Sequence, residues 1–251
     1  MKLKVIPVIA ALFVFVSFAF GQTVTITPKK TVYTRKGKVS LREKRTFTVV
    51  YPIVGGGLAP AVKQKLEKTI SYWEVFGTSL KEYLGGDDWL NDAYFKVNYN
   101  RGGLLDITLT EEGTAAYPDA QTKTLVVDLK SGEAVKFADV FDQSKAGEFA
   151  RLVDRKLKTE AAAIVKRIDK GEFGDNGKEA DDALKEQLTG LEFTADSFDE
   201  FSISDKGVTI LYDAGFPHVV EAAEPAGRYF FAWAELKAFV RTDGLFGRFV
   251  K

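Results

Sequence analysis

The chain contains no cysteine, and its 251 residues include one histidine, one methionine and seven prolines. Without cysteine there is no disulfide, no thiolate nucleophile and no sulfur-ligated metal. A single histidine cannot build a zinc site that needs two or more. That residue, His218, has no Gly-x-Ser-x-Gly nucleophile turn to serve, so a structural or incidental role is expected. An excess of either charge is also missing. The 35 basic residues balance 35 acidic ones, and the two signs interleave, as at 63–68 and 151–158. Binding a phosphate backbone needs a concentrated positive surface, so no nucleic-acid partner is expected. Beyond the first 20 residues, no apolar run approaches the roughly 20 residues that span a bilayer.

What is present begins with an address. Lys2 and Lys4 precede an apolar run from Val5 to Phe18, and the small-residue frame Ala19-Phe20-Gly21 follows before Gln22. Positive end, apolar run and small residues at alternate positions, in that order, are the features of a cleavable secretory signal over residues 1–21. A second frame, Ser17-Phe18-Ala19, would cut two residues earlier. The apolar run contains Pro7 and is too short for a stable span. Removing Lys2 and Lys4 leaves 33 basic residues against 35 acidic ones, a formal charge of about −2. The expected location is therefore periplasmic or extracellular, and about 230 residues bury roughly 70–75% of their unfolded surface without needing disulfides.

Alternation of apolar and hydroxylated residues at 23–27, and of Phe47, Val49, Tyr51 and Ile53, predicts two strands. Pro52 and Gly55-Gly56-Gly57 end the second. Pro60 suits a first helical turn, and Val62, Leu66, Ile70, Trp73, Phe76, Leu80 and Leu84 predict one helix of about 25 residues, closed by Gly85-Gly86. Phe95, Val97 and Tyr99, then Asn100-Arg101-Gly102-Gly103, then Leu105, Ile107 and Leu109 predict a hairpin. Strands at 124–129 and 134–137, joined through Ser131-Gly132, extend it into a meander. Phe149, Leu152, Val153, Leu157, Ala161, Ile164 and Ile168 predict a second long helix ending at Gly171. Residues 178–188 predict a shorter one, with Ala180, Leu184 and Leu188 inward. Strands return at 201–203, 208–212 and 229–233, and an irregular stretch at 213–227 separates the last two. The expected fold class is α+β: a mainly antiparallel sheet with two long helices and one shorter helix packed on it.

Several short motifs, in order, resemble the extracellular domain of RsiV-type anti-sigma factors, a domain of largely unknown function that also occurs beside peptidoglycan deacetylase domains. Tyr51-Pro52 stands before the first helix. Leu104-Leu105-Asp106-Ile107-Thr108-Leu109, Gly113, Ala116, Tyr117, Pro118, Gly132 and Asp139-Val140-Phe141 are similar to its central hairpin and helix lead-in. Asp205-Lys206-Gly207-Val208, Tyr212, Gly227 and Trp233-Ala234-Glu235-Leu236 are similar to its closing strands. The resemblance implies a domain over residues 47–240, an N-terminal strand segment at 22–46 and a C-terminal tail at 241–251. It also implies a binding role, towards lysozyme in RsiV-type proteins. The family's histidine after Gly-Gly-Ala is missing, since the stretch reads Gly113-Thr114-Ala115-Ala116-Tyr117-Pro118, so no role attached to it is carried over.

The acidic groups Asp87-Asp88, Glu111-Glu112, Asp181-Asp182 and Asp196, Asp199, Glu200 could hold a glycosidase pair only at a separation of about 5–9 Å; capping and solvation are the simpler reading. Residues 169–176 fail the calcium-loop spacing, with Gly171 and Phe173 where ligands belong. Gly55-Gly56-Gly57 is a turn, because Pro60 and the missing Lys-Ser/Thr rule out both phosphate fingerprints. Tyr229 and Trp233 read as core. Tyr117 and Phe216, beside prolines in loops, are the candidate partner-binding residues. The expectation is an exported, non-catalytic binding domain with no cofactor and no metal, whose partner is a protein or glycan of the cell envelope. A carboxylate-dependent hydrolase of envelope polysaccharide and a structural envelope protein are the alternatives, and the oligomeric state is left open.

Overall fold

The computed structural model describes residues 23–36, 44–85, 89–114, 117–174 and 177–251. The expected signal peptide, Gly37, Lys38, Gly86, Asp87, Asp88, Ala115, Ala116, Asp175 and Asn176 lie outside the described residues. The described fold is α+β. Strand β1 (Thr25–Thr34) pairs antiparallel with β2 (Thr46–Gly55) over its whole length. The chain crosses to β3 (Leu90–Arg101) through α1 (Pro60–Thr69), α2 (Tyr72–Val75) and α3 (Leu80–Tyr83). This crossover makes β2 and β3 parallel neighbours at Thr48↔Asp92 and Val49↔Ala93, in a sheet otherwise antiparallel.

The single helix expected from Pro60 is therefore three short ones. The start is as the sequence predicts, with Pro in the first turn. The chain leaves the helix at Ser71, whose backbone is extended, and again at Gly77, with φ of +76°. Ser79 then opens α3, its side chain accepting from the Glu82 amide while Glu82 accepts from the Ser79 amide. A straight helix offers the sheet one stripe. The broken path buries Tyr72 and Tyr83 completely and leaves Trp73 and Phe76 half-buried against them.

The meander forms as expected except at its end, where the strand expected over 134–137 pairs only at Glu133–Ala134 and Phe137 already opens a helix. Strand β4 (Leu104–Thr114) pairs with β3 through the turn at Gly102 and Gly103, both at positive φ, which only glycine adopts without strain. Strand β5 (Pro118–Asp128) follows, then the two-residue β6 (Glu133–Ala134). The six strands lie in chain order. Strand β5 begins well before the apolar residues that reveal it, since 118–123 carry only polar or small side chains.

Helix α4 (Phe137–Val140) leads to α5 (Ala146–Asp169), which buries Phe149, Val153, Leu157, Ala161, Ile164 and Ile168 as its spacing predicts. On α6 (Lys178–Gly190), Leu184 and Leu188 are buried, but Ala180 is exposed because it lies in the first turn, outside the packed stripe. A second sheet of β7 (Glu200–Ile203), β8 (Gly207–Leu211) and β9 (Arg228–Ala232) is antiparallel, and α7 (Trp233–Leu236) follows it.

Three apolar clusters hold these layers. One lies on the face of the large sheet beneath α1, α2 and α3, around Phe47, Val49, Leu105, Ile107, Leu109 and Val127. A second joins Leu104, Val126 and Tyr99 of that sheet to α5 and to the small sheet. The third lies between the second half of α5 and α6. Residues 241–251, read from sequence as a tail, enter the second cluster. Phe246 has no exposed surface, and the Phe249 ring stacks on Trp233 at 4.4 Å.

Candidate functional site

The face of the large sheet turned away from α1 is polar at its open end. Two-residue alternation that buries Leu105, Ile107 and Leu109 turns Asp106, Thr108 and Thr110 to this other face. Thr108 and Thr110 hydrogen-bond across to Thr124 and Thr122 of β5, at 3.0 and 3.3 Å. The start of β7 crosses here. Asp106 accepts from the Asn98 amide at 2.8 Å, the Ser202 hydroxyl at 2.6 Å and the Ile203 backbone N–H at 2.7 Å. Glu200 takes the next place along, accepting from Lys123 Nζ at 2.5 Å and from the Thr124 backbone N–H at 2.8 Å. The hydrogen-bonded Glu200 carboxylate holds the Lys123 ammonium above the ordinary lysine range.

The far wall is the 213–227 stretch, which is firmly tied. Asp213 accepts from the Gly215 N–H at 2.8 Å, and Glu160 of α5 accepts from the Ala226 N–H and the Tyr229 hydroxyl, each at 2.9 Å. At its end the Tyr212 N–H donates to the Gly227 carbonyl at 2.8 Å. Gly227 has φ of +63°, and a Cβ there would lie 1.8 Å from the Tyr212 oxygen, so only glycine closes the loop. Between the loop and β5 lies a cleft of about 790 Å³, within the usual range for ligand sites. Ala120–Thr124 of β5 form one side; Asp199, Glu200, Asp213, Glu224 and Arg228 contribute charge. A second hollow of about 410 Å³ also touches Ala120 and is lined by Asp92, Glu112, Asp119, Glu221 and Lys44. Together the linings carry eight carboxylates against three basic side chains. Burial, reinforced by the charge of Asp213, pushes the Glu224 carboxyl above the ordinary range.

Tyr117 and the 213–227 stretch do lie together. The Tyr117 ring, 58% exposed, stacks on His218 at 5.0 Å, and His218 Nδ1 lies 2.9 Å from Glu221. Val219 beside them is 81% exposed. Phe216 is a correction. It is 8% exposed and packs with Ala161, Ile164, Leu184 and Leu188. The turn that exposes His218 directs Phe216 beneath the loop, where it anchors the wall and presents nothing to a partner.

The remaining acidic groups are dispersed. Glu111 is buried and accepts from Tyr83 at 2.8 Å, Glu112 accepts from Tyr94, and Asp182 pairs with Lys178 on the outside of α6. Asp199 and Glu200 alone of the expected clusters reach the cleft. Tyr229 and Trp233 are core, as the sequence predicts. Among the described residues, no group of three or more His, Asp or Glu side chains is arranged to hold a metal ion, and no helix is long and apolar enough to cross a membrane. Sequence reading missed Lys123, Glu224 and Arg228. The only local signal was the polar, β-branched run Thr122-Lys123-Thr124, read there as a strand from Thr124 onward.

No protein-family model matches the chain, and no curated protein matches it by sequence. Solved structures do. A member of the DUF3298 family from Bacteroides fragilis NCTC 9343 superposes with a TM-score of 0.54 at 11% identity, covering 92% of this chain and 98% of that one. A DUF3298 family protein from Pseudomonas aeruginosa PAO1 gives a TM-score of 0.54 at 15% identity, covering 88% and 96%. At such identities the likeness is one of fold, and that fold belongs to a domain of uncharacterised function. Neither structure is described as an RsiV-type protein.

Proposed function

We propose that the chain is an exported, non-catalytic binding domain whose ligand site is the cleft between β5 and the 213–227 loop. One observation carries the reading: a strand edge opens on a cleft lined by four carboxylates against two basic side chains, with a second acidic hollow adjoining it at Ala120 and the stacked Tyr117 and His218 nearby. The lining favours a cationic partner, because complementary charge speeds encounter and selects among partners. The resemblance to RsiV-type outward-facing domains supports the same choice and suggests a wall-degrading enzyme such as lysozyme, a basic protein. The cleft carboxylates argue against hydrolysis. Glu200, Glu224 and Asp213 are each engaged in holding backbone or Lys123, which leaves Asp199 as the one loosely held carboxylate of this cleft, whereas a glycosidase needs a pair facing its substrate.

Titration calorimetry with lysozyme and with soluble peptidoglycan fragments tests this. Lysozyme is expected to bind saturably, and Glu224→Gln with Asp213→Asn to weaken it roughly tenfold. Binding by neither ligand, or turnover of the fragments abolished by one Asp→Asn change, overturns the reading. For the exported address, the amino terminus of the protein recovered from outside the cytoplasm is expected at Gln22. An intact Met1 there rejects cleavage.

A further inference from the structure

Strand β5 is bonded to β4 along its whole length, but its other edge is covered only in part. The β6 strand pairs at Val127 and Asp128, and the Val135 N–H reaches the Val126 carbonyl. Next, the Thr124 N–H points away from β4 and finds the Glu200 carboxylate where a neighbouring strand would place a carbonyl. Backbone groups of one edge recur every second residue. The N–H and C=O of Thr122 and the C=O of Ala120 therefore also point away from β4, into the cleft. They have no hydrogen-bond partner among the described residues, and the Ala120 N–H is turned onto its neighbour Asp119 at 2.7 Å.

The other long edges are guarded. Strand β1 carries Pro28, Lys29 and Lys30 mid-strand, residues that discourage further pairing. On β9, Lys156 Nζ occupies the Phe230 carbonyl at 3.1 Å. On β5, Pro118, the Asp119 carboxylate on the Ala120 N–H and Lys123 with Glu200 bracket the edge, but between them the Thr122 N–H and C=O and the Ala120 C=O stay open, in mostly acidic surroundings.

Resting on the cleft as the ligand site, we infer that this edge of β5 takes an extended peptide segment bearing lysine or arginine, which adds to the sheet as a strand. Thr122 offers both backbone groups to one residue of the incoming strand, and the Ala120 carbonyl accepts from a second. Asp213 and Glu224 on the far wall, with Glu221 and Asp119 at the adjoining hollow, select positive side chains.

The probe is a labelled acetyl-(Lys-Thr)3-amide peptide, followed by fluorescence anisotropy with the purified protein. Two derivatives carry N-methyl groups on the lysine amides or on the threonine amides, and a fourth peptide has glutamate for lysine. Saturable binding of the parent is expected. One methylated derivative loses roughly tenfold or more and the other does not, since an added strand bonds through alternate residues; the glutamate peptide fails to bind. Thr122→Pro, which removes the outward N–H at an edge where proline is tolerated, is expected to weaken the parent to the same degree. Equal affinity of the parent and both methylated peptides overturns the inference without reference to any variant's folding. Lysozyme binding that Glu224→Gln weakens, alongside no binding of the parent peptide, overturns strand addition and leaves the cleft's binding role standing.

Discussion

Asp106 joins the two sheets from a position with no exposed surface. Its carboxyl receives Asn98, Ser202 and Ile203, yet burial outweighs those bonds and keeps its pKa above the ordinary 3.8. Asp106→Ala takes the acceptor from the Ser202 hydroxyl and the Ile203 N–H and leaves the Asn98 amide with Thr108 alone, and is expected to cost about 3 kcal/mol, read from urea unfolding. A raised carboxyl pKa means that the folded state holds its proton to higher pH than the unfolded chain. Its contribution to stability is complete below 3.8 and is lost as pH rises through the raised value. Asp106→Asn removes that titration, so the stability of the native protein relative to the variant should decline as pH is raised from acid towards neutrality; a difference that grows with pH contradicts the assignment. At this scale the sequence is least legible. Tyr117 and Phe216 carry the same mark, an aromatic residue beside proline, and only their tertiary surroundings make one a surface ring and the other a wedge beneath the loop.

Elements are more legible, and unevenly so. Long amphipathic runs such as α5, and the hairpin centred on Gly102-Gly103, follow from period and turn chemistry alone. The three helices between β2 and β3 do not, because apolar residues at steps of three and four continue across Ser71 and Gly77, where the backbone turns. The first part of β5 was hidden for the opposite reason: a strand edge that faces a polar cleft has no apolar rhythm. The closing segment shows what tertiary packing adds. Phe246 touches Phe141, Phe201 and Trp233, edge-on at 5.5–6.0 Å. Phe246→Ala is expected to lower stability by about 3–5 kcal/mol, with a lower urea midpoint and an unchanged slope. A loss under about 1 kcal/mol would restore the reading of 241–251 as a tail.

The whole molecule has two sheets and no clean seam between them. Tyr99, Leu104 and Val126 of the large sheet are members of the cluster that fills the small one, and Asp106, Arg101 and Lys123 reach β7 and its flanks, the Arg101–Asp205 pair at 2.8 Å. One cooperative unfolding transition is therefore expected. Trp73 and Trp89 report on the large sheet and Trp233 on the small one, so variants retaining a single tryptophan should unfold at the same urea concentration; separated midpoints would divide the chain into independent units. The recessed edge of β5 has a last consequence, for self-association. A bare strand edge is ordinarily a template on which like chains polymerise into filaments. Here the 213–227 stretch lies on one flank and the Glu200 carboxylate closes one end, so a second folded copy, whose own sheet would arrive several strands wide, is expected not to pair there, and sedimentation at rising concentration should show no growing oligomer.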